Sequence, residues 1–349
     1  MASYGAQAAT RKGGTPQSSP SGAGGRPQYP QRQTFAALDL GTNNCRMLIA
    51  RPEGDRFAVV DAFSRIVRLG EGLATTGRLS DAAMDRAVAA LGICAAKLVK
   101  RNVMLSHAVA TEACRRASNG DEFIDRVYRE TGLLLDVISP GDEAQLAVMG
   151  CHQLIEPGEG PALVFDIGGG STELIIIETL PDGPRTLDWL SVPWGVVSLA
   201  EHEPADDAEE EARLAAYARM KAVVAEEFAA FAKPYTQAGK PLRLLGTSGT
   251  VTTLASVHLG LPSYDRRLVD GLIVPVESMR AISTGLATMG MAEREAQACI
   301  GTERADLVVA GCAILEAILD VWPSDRVGVA DRGIREGILR RLIGMERRR

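Results

Sequence analysis

The sequence has no Cys-x-x-Cys pair, only four histidines, and few aromatics, 5% of its 349 residues. The dispersed histidines (His107, His152, His202, His258) and cysteines (Cys45, Cys94, Cys114, Cys151, Cys299, Cys312) lack metal-ligand spacing and exclude an ordinary zinc site. Cysteines scattered among apolar neighbours read as reduced, buried thiols, which makes the cytoplasm the expected location. Scarce aromatics argue against the stacking platforms that hold single-stranded bases. A net charge of −6 argues against bulk attraction to polyanions or anionic membranes, so neither a specific nucleic-acid partner nor a membrane is expected. No apolar run reaches the length of a membrane span. Arg11 and Lys12 are not followed by the apolar segment of a secretory signal. A polyanionic ligand would have to be held locally, by a metal, a few arginines and backbone N–H groups.

What is present is an ordinary globular balance, 46% hydrophobic and 23% charged, with 36 glycines. The length predicts two domains rather than one core. Residues 1–33, rich in Gly, Ser, Pro and Gln, read as a disordered tail. Ordered structure is predicted to begin with the apolar strand at Phe35, which runs into a turn at Asp39-Leu40-Gly41. Strands follow at 47–50 and 57–60, then a helix over 81–100 capped by Ser80, a strand at 105–110, a helix at 121–130, a strand at 133–138 and a helix at 141–155. The same grammar then restarts, with strands at 162–166 and 173–177 around a Gly-rich turn. A long charged helix covers about 206–232. A strand at 242–245 leads into Gly246-Thr247-Ser248-Gly249-Thr250. Helices at 276–290 and 304–321, a strand at 327–329 and a basic helix over 333–349 complete the chain. The recurrence of strand, Asp, x, Gly, small polar turn, strand at Asp39 and again at Asp166 predicts a duplicated α/β pair.

Several residues in this frame carry chemistry. In Asp39-Leu40-Gly41-Thr42-Asn43, small residues leave backbone N–H groups open to an anion, and Asp39 can hold a hydrated divalent cation; a simple hairpin turn is the plainer reading. Asp166-Ile167-Gly168-Gly169-Gly170-Ser171-Thr172-Glu173 is more specific. Three consecutive glycines cost entropy that a structural turn does not require, so close approach of a phosphate is the better account. Asp166 and Glu173 flank that loop and can share one cation or one water. The 246–250 turn offers a third anion site at a helix N-terminus, or an ordinary N-cap. Arg115 and Arg116, at a strand exit, can fork onto phosphate or lie in solvent. Glu143 falls in the first turn of a helix, where an acid is expected anyway; its functional reading is a base that activates water.

These segments resemble the exopolyphosphatase and guanosine pentaphosphate phosphohydrolase family of the acetate/sugar kinase–Hsp70–actin superfold. The match runs, in order, through Asp39-Leu-Gly-Thr-Asn, Ala110-Thr-Glu-Ala-Cys-Arg115, Ile138-Ser-Pro-Gly-Asp-Glu143-Ala, Asp166-Ile-Gly-Gly-Gly-Ser-Thr-Glu173-Leu, Pro193-Trp-Gly195, Gly246-Thr-Ser-Gly-Thr250, Glu303-Arg-Ala-Asp306 and Arg332-Gly-Ile-Arg-Glu-Gly337. The resemblance implies two actin-like (ribonuclease H-like) α/β domains with a cleft between them, over 34–143 plus about 331–349 and over 144–330. It implies Glu143 as catalytic base and Asp39, Asp166 and Glu173 around Mg²⁺, with Mn²⁺ as a possible substitute. Asp39, Gly41, Thr42 and Asn43 form the first phosphate loop and Gly168 to Thr172 the second. Gly246 to Thr250 form a third phosphate contact, and Arg115 faces the phosphate chain. The implied activity is removal of the terminal phosphate from inorganic polyphosphate or a guanosine polyphosphate. A non-hydrolytic nucleotide sensor on the same superfold is the alternative, a sugar or acid kinase a more distant one, and a homodimer is left open. Two departures stand out. The base segment reads Ser-Pro-Gly-Asp-Glu rather than Ser-Gly-x-Glu-Glu, and Glu112 sits where a small or polar residue is usual.

Overall fold

The two runs of strands build two sheets of one design. The computed structural model describes residues 33–54, 56–181, 183–204, 209–236 and 242–346. The tail expected over 1–33 therefore lies outside the described residues except for Gln33, as do the first residues of the expected 206–232 helix and the last three of the chain. The first sheet contains β1 (Phe35–Leu40), β2 (Asn44–Glu53), β3 (Arg56–Ile66), β4 (Leu105–Ala110) and β5 (Leu135–Val137) in the order β3-β2-β1-β4-β5. The second contains β6 (Ala162–Ile167), β7 (Thr172–Leu180), β8 (Gly183–Val192), β9 (Arg243–Thr247), β10 (Ile273–Pro275) and β11 (Arg326–Ala330) in the order β8-β7-β6-β9-β11-β10. β1 pairs antiparallel with β2 and parallel with β4; β6 pairs antiparallel with β7 and parallel with β9. The second sheet repeats the first strand for strand and adds β10 at its edge. This is the duplicated α/β pair that the repeated Asp-x-Gly turns predicted, in the actin-like form that the resemblance implied.

Central strands are covered on both faces, which is why they read as near-continuous apolar runs. Along β1, Ala36, Leu38 and Leu40 join one core, with Cys45, Met47 and Ile49 of β2 and the helix Asp81–Lys100. Phe35 and Ala37 point the other way, to Leu48, Ala50 and two helices that lie between the sheets. One is Pro140–Cys151, with Ser139 as its N-cap and Pro140 in its first turn, so the unusual Ser-Pro-Gly-Asp segment opens a regular helix. Its Leu146 and Ala147 pack on the first sheet, while Ala144, Val148 and Cys151 pack on Val164, Ile175 and Leu245 of the second. The other is Ile334–Glu346, whose Ile334, Ile338, Leu339 and Ile343 seal the first sheet. From Gln33 onward the chain forms one compact unit. Among the described residues no helix is long and apolar enough to cross a membrane.

Differences from the sequence reading have local causes. β8 was not anticipated, because as an edge strand it leaves Leu187 and Trp189 exposed and shows no buried face to read. β10 is three residues long. The helix expected from 304 starts at Val308, after a run of turns through Arg304.

The two central helices touch through glycine. A Cβ added to Gly337 would lie 2.0 Å from the carbonyl oxygen of Leu146, and one on Gly150 would lie 2.0 Å from that of Gly333. Gly→Ala inside a helix normally gains about 1 kcal/mol. Here the sign should reverse: Gly337→Ala is expected to lose about 2 kcal/mol or more in urea unfolding through backbone overpacking, and a neutral or stabilised variant would show that the helices can part freely.

Candidate active site

The acidic hairpins close in the same way. In the first, the Gly41 N–H donates to the carbonyl of Asn44 at 2.9 Å; in the second, the Gly168 N–H donates to the carbonyl of Ser171 at 2.9 Å. Each closure leaves two intervening amides, those of Thr42 and Asn43 and those of Gly169 and Gly170, without a hydrogen bond among the described residues. The loops face one another in contact. A Cβ on Gly169 would sit 3.0 Å from the Asn43 nitrogen, and one on Gly170 would sit 2.6 Å from the Thr42 hydroxyl. Only glycine allows this approach. The second loop is braced from behind by Pro193-Trp194-Gly195: the N–H groups of Val196 and Val197 donate to the carbonyls of Gly168 and Gly169, and Thr172 donates to the Trp194 carbonyl. Both loops line one cleft at the carboxyl ends of the central strands.

Six carboxylates line this cleft; besides Glu112 and Asp331 they are Asp39, Asp166, Glu173 and Glu143. Asp39 and Asp166 stand on β1 and β6, and neither accepts a hydrogen bond among the described residues. Burial raises both acids; Asp39 further raises Asp166, to about 6, while Arg46 holds each of them down. Glu173 is 2% exposed, and its Oε1 accepts from the hydroxyls of Ser171 (2.7 Å) and Ser191 (2.8 Å). Burial and then Asp166 push it up to about 7. Glu143, 8% exposed, is raised well above the usual range by burial first and by Glu173 second, against the pull of Arg115. No three carboxylate, histidine or cysteine groups gather as a metal cage among the described residues. Of the three residues expected around an ion, Asp39 and Asp166 have no hydrogen-bond partner for their carboxylates among the described residues, whereas Glu173 accepts from its two serines. A pair of unpartnered carboxylates suits Mg²⁺, which keeps its waters and takes only one or two protein carboxylates beside phosphate oxygens.

Arg115 does not line the cleft. Its Nη1 donates to the Ile138 carbonyl and to Glu143 Oε2, both at 2.8 Å, and its Nε and Nη2 donate to Glu112 Oε2 at 3.3 and 2.9 Å. The expected phosphate ligand is instead bound to the expected base. Thr172 and Gly246 also stay behind the surface; a Cβ on Gly246 would strike the Phe165 ring at 2.6 Å, so that glycine serves packing. Gly41, Thr42, Asn43, Gly168, Gly169, Gly170, Ser171, Thr247, Ser248, Gly249 and Thr250 all line the cleft, with Asp39, Glu143, Asp166 and Glu173. Ser248 stands at φ 105°, a left-handed conformation that costs a non-glycine residue about 1–3 kcal/mol, and it precedes helix Gly249–His258, whose first residues line the cleft.

Sequence reasoning missed the cationic end. Arg46, Arg304, Arg332 and Arg335 line the cleft. Arg46 faces Asp39 across β1 and β2, and burial, Arg335 and Arg304 all lower its pKa. The readable signal was one arginine inside the apolar run Cys45-Arg46-Met47-Leu48-Ile49. The segments holding Arg304 and Arg335 were recognised as motifs without a role. The turn at Asp331-Arg332-Gly333 is fixed by Thr247, whose hydroxyl donates to the Arg332 carbonyl at 2.9 Å.

A profile described as the Ppx/GppA phosphatase family matches residues 48–346. The chain is 31% identical over 311 residues to a protein of Aeromonas salmonicida named guanosine-5'-triphosphate,3'-diphosphate pyrophosphatase, covering 89% of this chain but 59% of that protein's length. It is 27% identical to Exopolyphosphatase 1 of Mycobacterium leprae, covering 89% of this chain and 90% of that one. The crystal structure of an exopolyphosphatase from Cytophaga hutchinsonii superposes with a TM-score of 0.79 at 27% identity, covering 90% of this chain and 98% of that one.

Crowded acids set a direction for stability. A carboxyl whose folded-state pKa is raised stabilises the fold fully below its unfolded value and loses that contribution as pH rises through the folded value. For Asp166 the loss runs from about pH 4 to about pH 6. Asp166→Asn, in chelator at pH 8, is therefore expected to be more stable than wild type by about 1–3 kcal/mol. The gain should shrink toward pH 4 in thermal unfolding; equal stability at both pH values would refute the charge argument.

Proposed function

The chain belongs to the Ppx/GppA phosphatase family, and from that premise we propose that it hydrolyses the terminal phosphoanhydride of inorganic polyphosphate. The observation that carries the reading is the contact of two glycine hairpins, with four free amides between them and Glu143 lining the same cleft. The amides of Thr42, Asn43, Gly169 and Gly170 hold the oxygens of the terminal phosphate. Ser248 to Thr250, at a helix N-terminus, add donors. Arg46, Arg304 and Arg335 take the phosphates that follow, so the chain lies with its end toward Glu143 and its body toward the arginines. Glu143 removes a proton from the attacking water. Its burial makes it a stronger base than a solvated carboxylate, and Arg115 fixes its direction. Asp39 and Asp166 are the residues that would hold a divalent cation, Mg²⁺ or in its place Mn²⁺, which when bound neutralises charge on the phosphate oxygens. Closure of one half (34–143 with 331 onward) on the other (144–330) would exclude water from the bound end.

Guanosine pentaphosphate is the second reading, since it presents the same terminal anhydride and one relative carries that substrate in its name. Polyphosphate is preferred because the relative named for it is matched over 90% of its length. A sensor without hydrolysis would have no use for a buried, arginine-held Glu143. The direct test is phosphate release from long-chain polyphosphate and from guanosine pentaphosphate, side by side, with Mg²⁺ and with chelator. Glu143→Gln is expected to lower turnover at least about 100-fold, the usual scale for losing a general base, with substrate binding kept. Wild-type turnover in that variant would remove Glu143 from the mechanism.

A further inference from the structure

Glu112 places a carboxylate where an anion-binding cleft gains nothing from one. It is the first residue of the short helix Glu112–Arg116 after β4, it lines the cleft, and its side chain is 13% exposed. It packs on the phosphate cradle itself: a Cβ on Gly170 would lie 3.1 Å from Glu112 Cγ. Its Oε2 takes the Nε and Nη2 edge of Arg115, while Nη1 of the same guanidinium holds Glu143. One guanidinium thus serves two carboxylates, with only the more distant Arg116 at the other oxygen of Glu112, beside amides that have no hydrogen bond among the described residues. Burying two like charges on one partner is costly unless a further group relieves it.

We propose that Glu112 is a displaceable stand-in for the substrate's terminal phosphate, and that by occupying one edge of Arg115 it sets the affinity of the cleft for polyanions. The proposal rests on the phosphoanhydride reading of the cleft and deepens it. A phosphate carries more charge than a carboxylate and offers three acceptor oxygens to the planar fork of an arginine. When it reaches the cradle, it takes the Nε and Nη2 edge, and Nη1 remains on Glu143. The released carboxylate has a second cation at hand, since Arg116 Nε lies 4.0 Å from Glu112 Oε1 on a more exposed side chain. Arg115 is therefore a positioning residue for Glu143 in the empty cleft and a phosphate ligand in the filled one. Glu112 makes short or weakly charged ends poor competitors, because they must displace it.

The test is a double-mutant cycle on the full chain, with tripolyphosphate binding measured by calorimetry and long-chain polyphosphate turnover measured alongside. Glu112→Gln is expected to tighten tripolyphosphate about tenfold and to lower KM in parallel, on the scale of one charge-assisted hydrogen bond, with kcat changed much less. In an Arg115→Lys background, where a single point charge cannot serve both partners, the same substitution should gain less than about twofold. Glu112→Ser is expected to repeat the result of Glu112→Gln and covers the case in which the latter folds poorly. No gain in affinity from either variant overturns the proposal, and so does an equal gain in both backgrounds, which would mean bulk charge alone. If wild type releases no phosphate, the hydrolytic reading fails while the binding comparison still decides the role of Glu112.

Discussion

Repulsion among Asp39, Asp166, Glu173 and Glu143 is the constraint around which the cleft is organised. Each of the four is raised by burial, and neighbouring acids add to the shift. Such a group survives in a folded protein only if other elements hold it in place. The fold supplies a different counterweight to each: Arg46 across the strand pair for the aspartates, two serine hydroxyls for Glu173, and Arg115 for Glu143. These counterweights come from both sheets and from the short helix Glu112–Arg116, so the site exists only when the halves are together. A cleft charged in this way favours ligands that bring cations with them.

Geometry follows from the same need for closeness. The hairpins meet at van der Waals distance because Gly169 and Gly170 have no side chains, and Gly195 lets the bracing turn lie directly on the second loop, where a Cβ would be 2.4 Å from the Gly169 carbonyl carbon. The site therefore draws its rigidity from backbone pressed on backbone. The strained conformation of Ser248 belongs to this pattern, since it persists only because the strand before it and the helix after it are both fixed.

Much of this was legible beforehand, for identifiable reasons. The repeated Asp-x-Gly turns are local patterns that fix strand, turn and loop chemistry together, and they carried both the duplicated fold and the two cradles. Glu143 was not legible from its residues, because an acid in a first helical turn has an ordinary cause; only the family resemblance singled it out. Arg115 was recognised as important, but its partner was not, since the contact joins residues 28 apart through a turn whose shape the sequence leaves open. Gly246 and Thr172 sit within glycine- and threonine-rich turns that looked uniform, yet a one-residue step along a strand end separates facing the cleft from facing the core. Arg46 was hidden by its apolar neighbours. The cleft lining at Asp331–Arg335 is brought beside Thr247 by the parallel pairing of β9 and β11, a contact between strands distant in sequence.

The helix Ile334–Glu346 carries a temporal consequence. It seals the first sheet, although the whole second sheet is synthesised between β5 and that helix. On the ribosome the amino-terminal half must wait, that face of its sheet covered only by Leu146 and Ala147 of the helix Pro140–Cys151, for a delay on the order of ten to forty seconds at common elongation rates. The half made first is finished last, so Phe35, Leu48 and Val109 stay only partly covered throughout the translation of its twin.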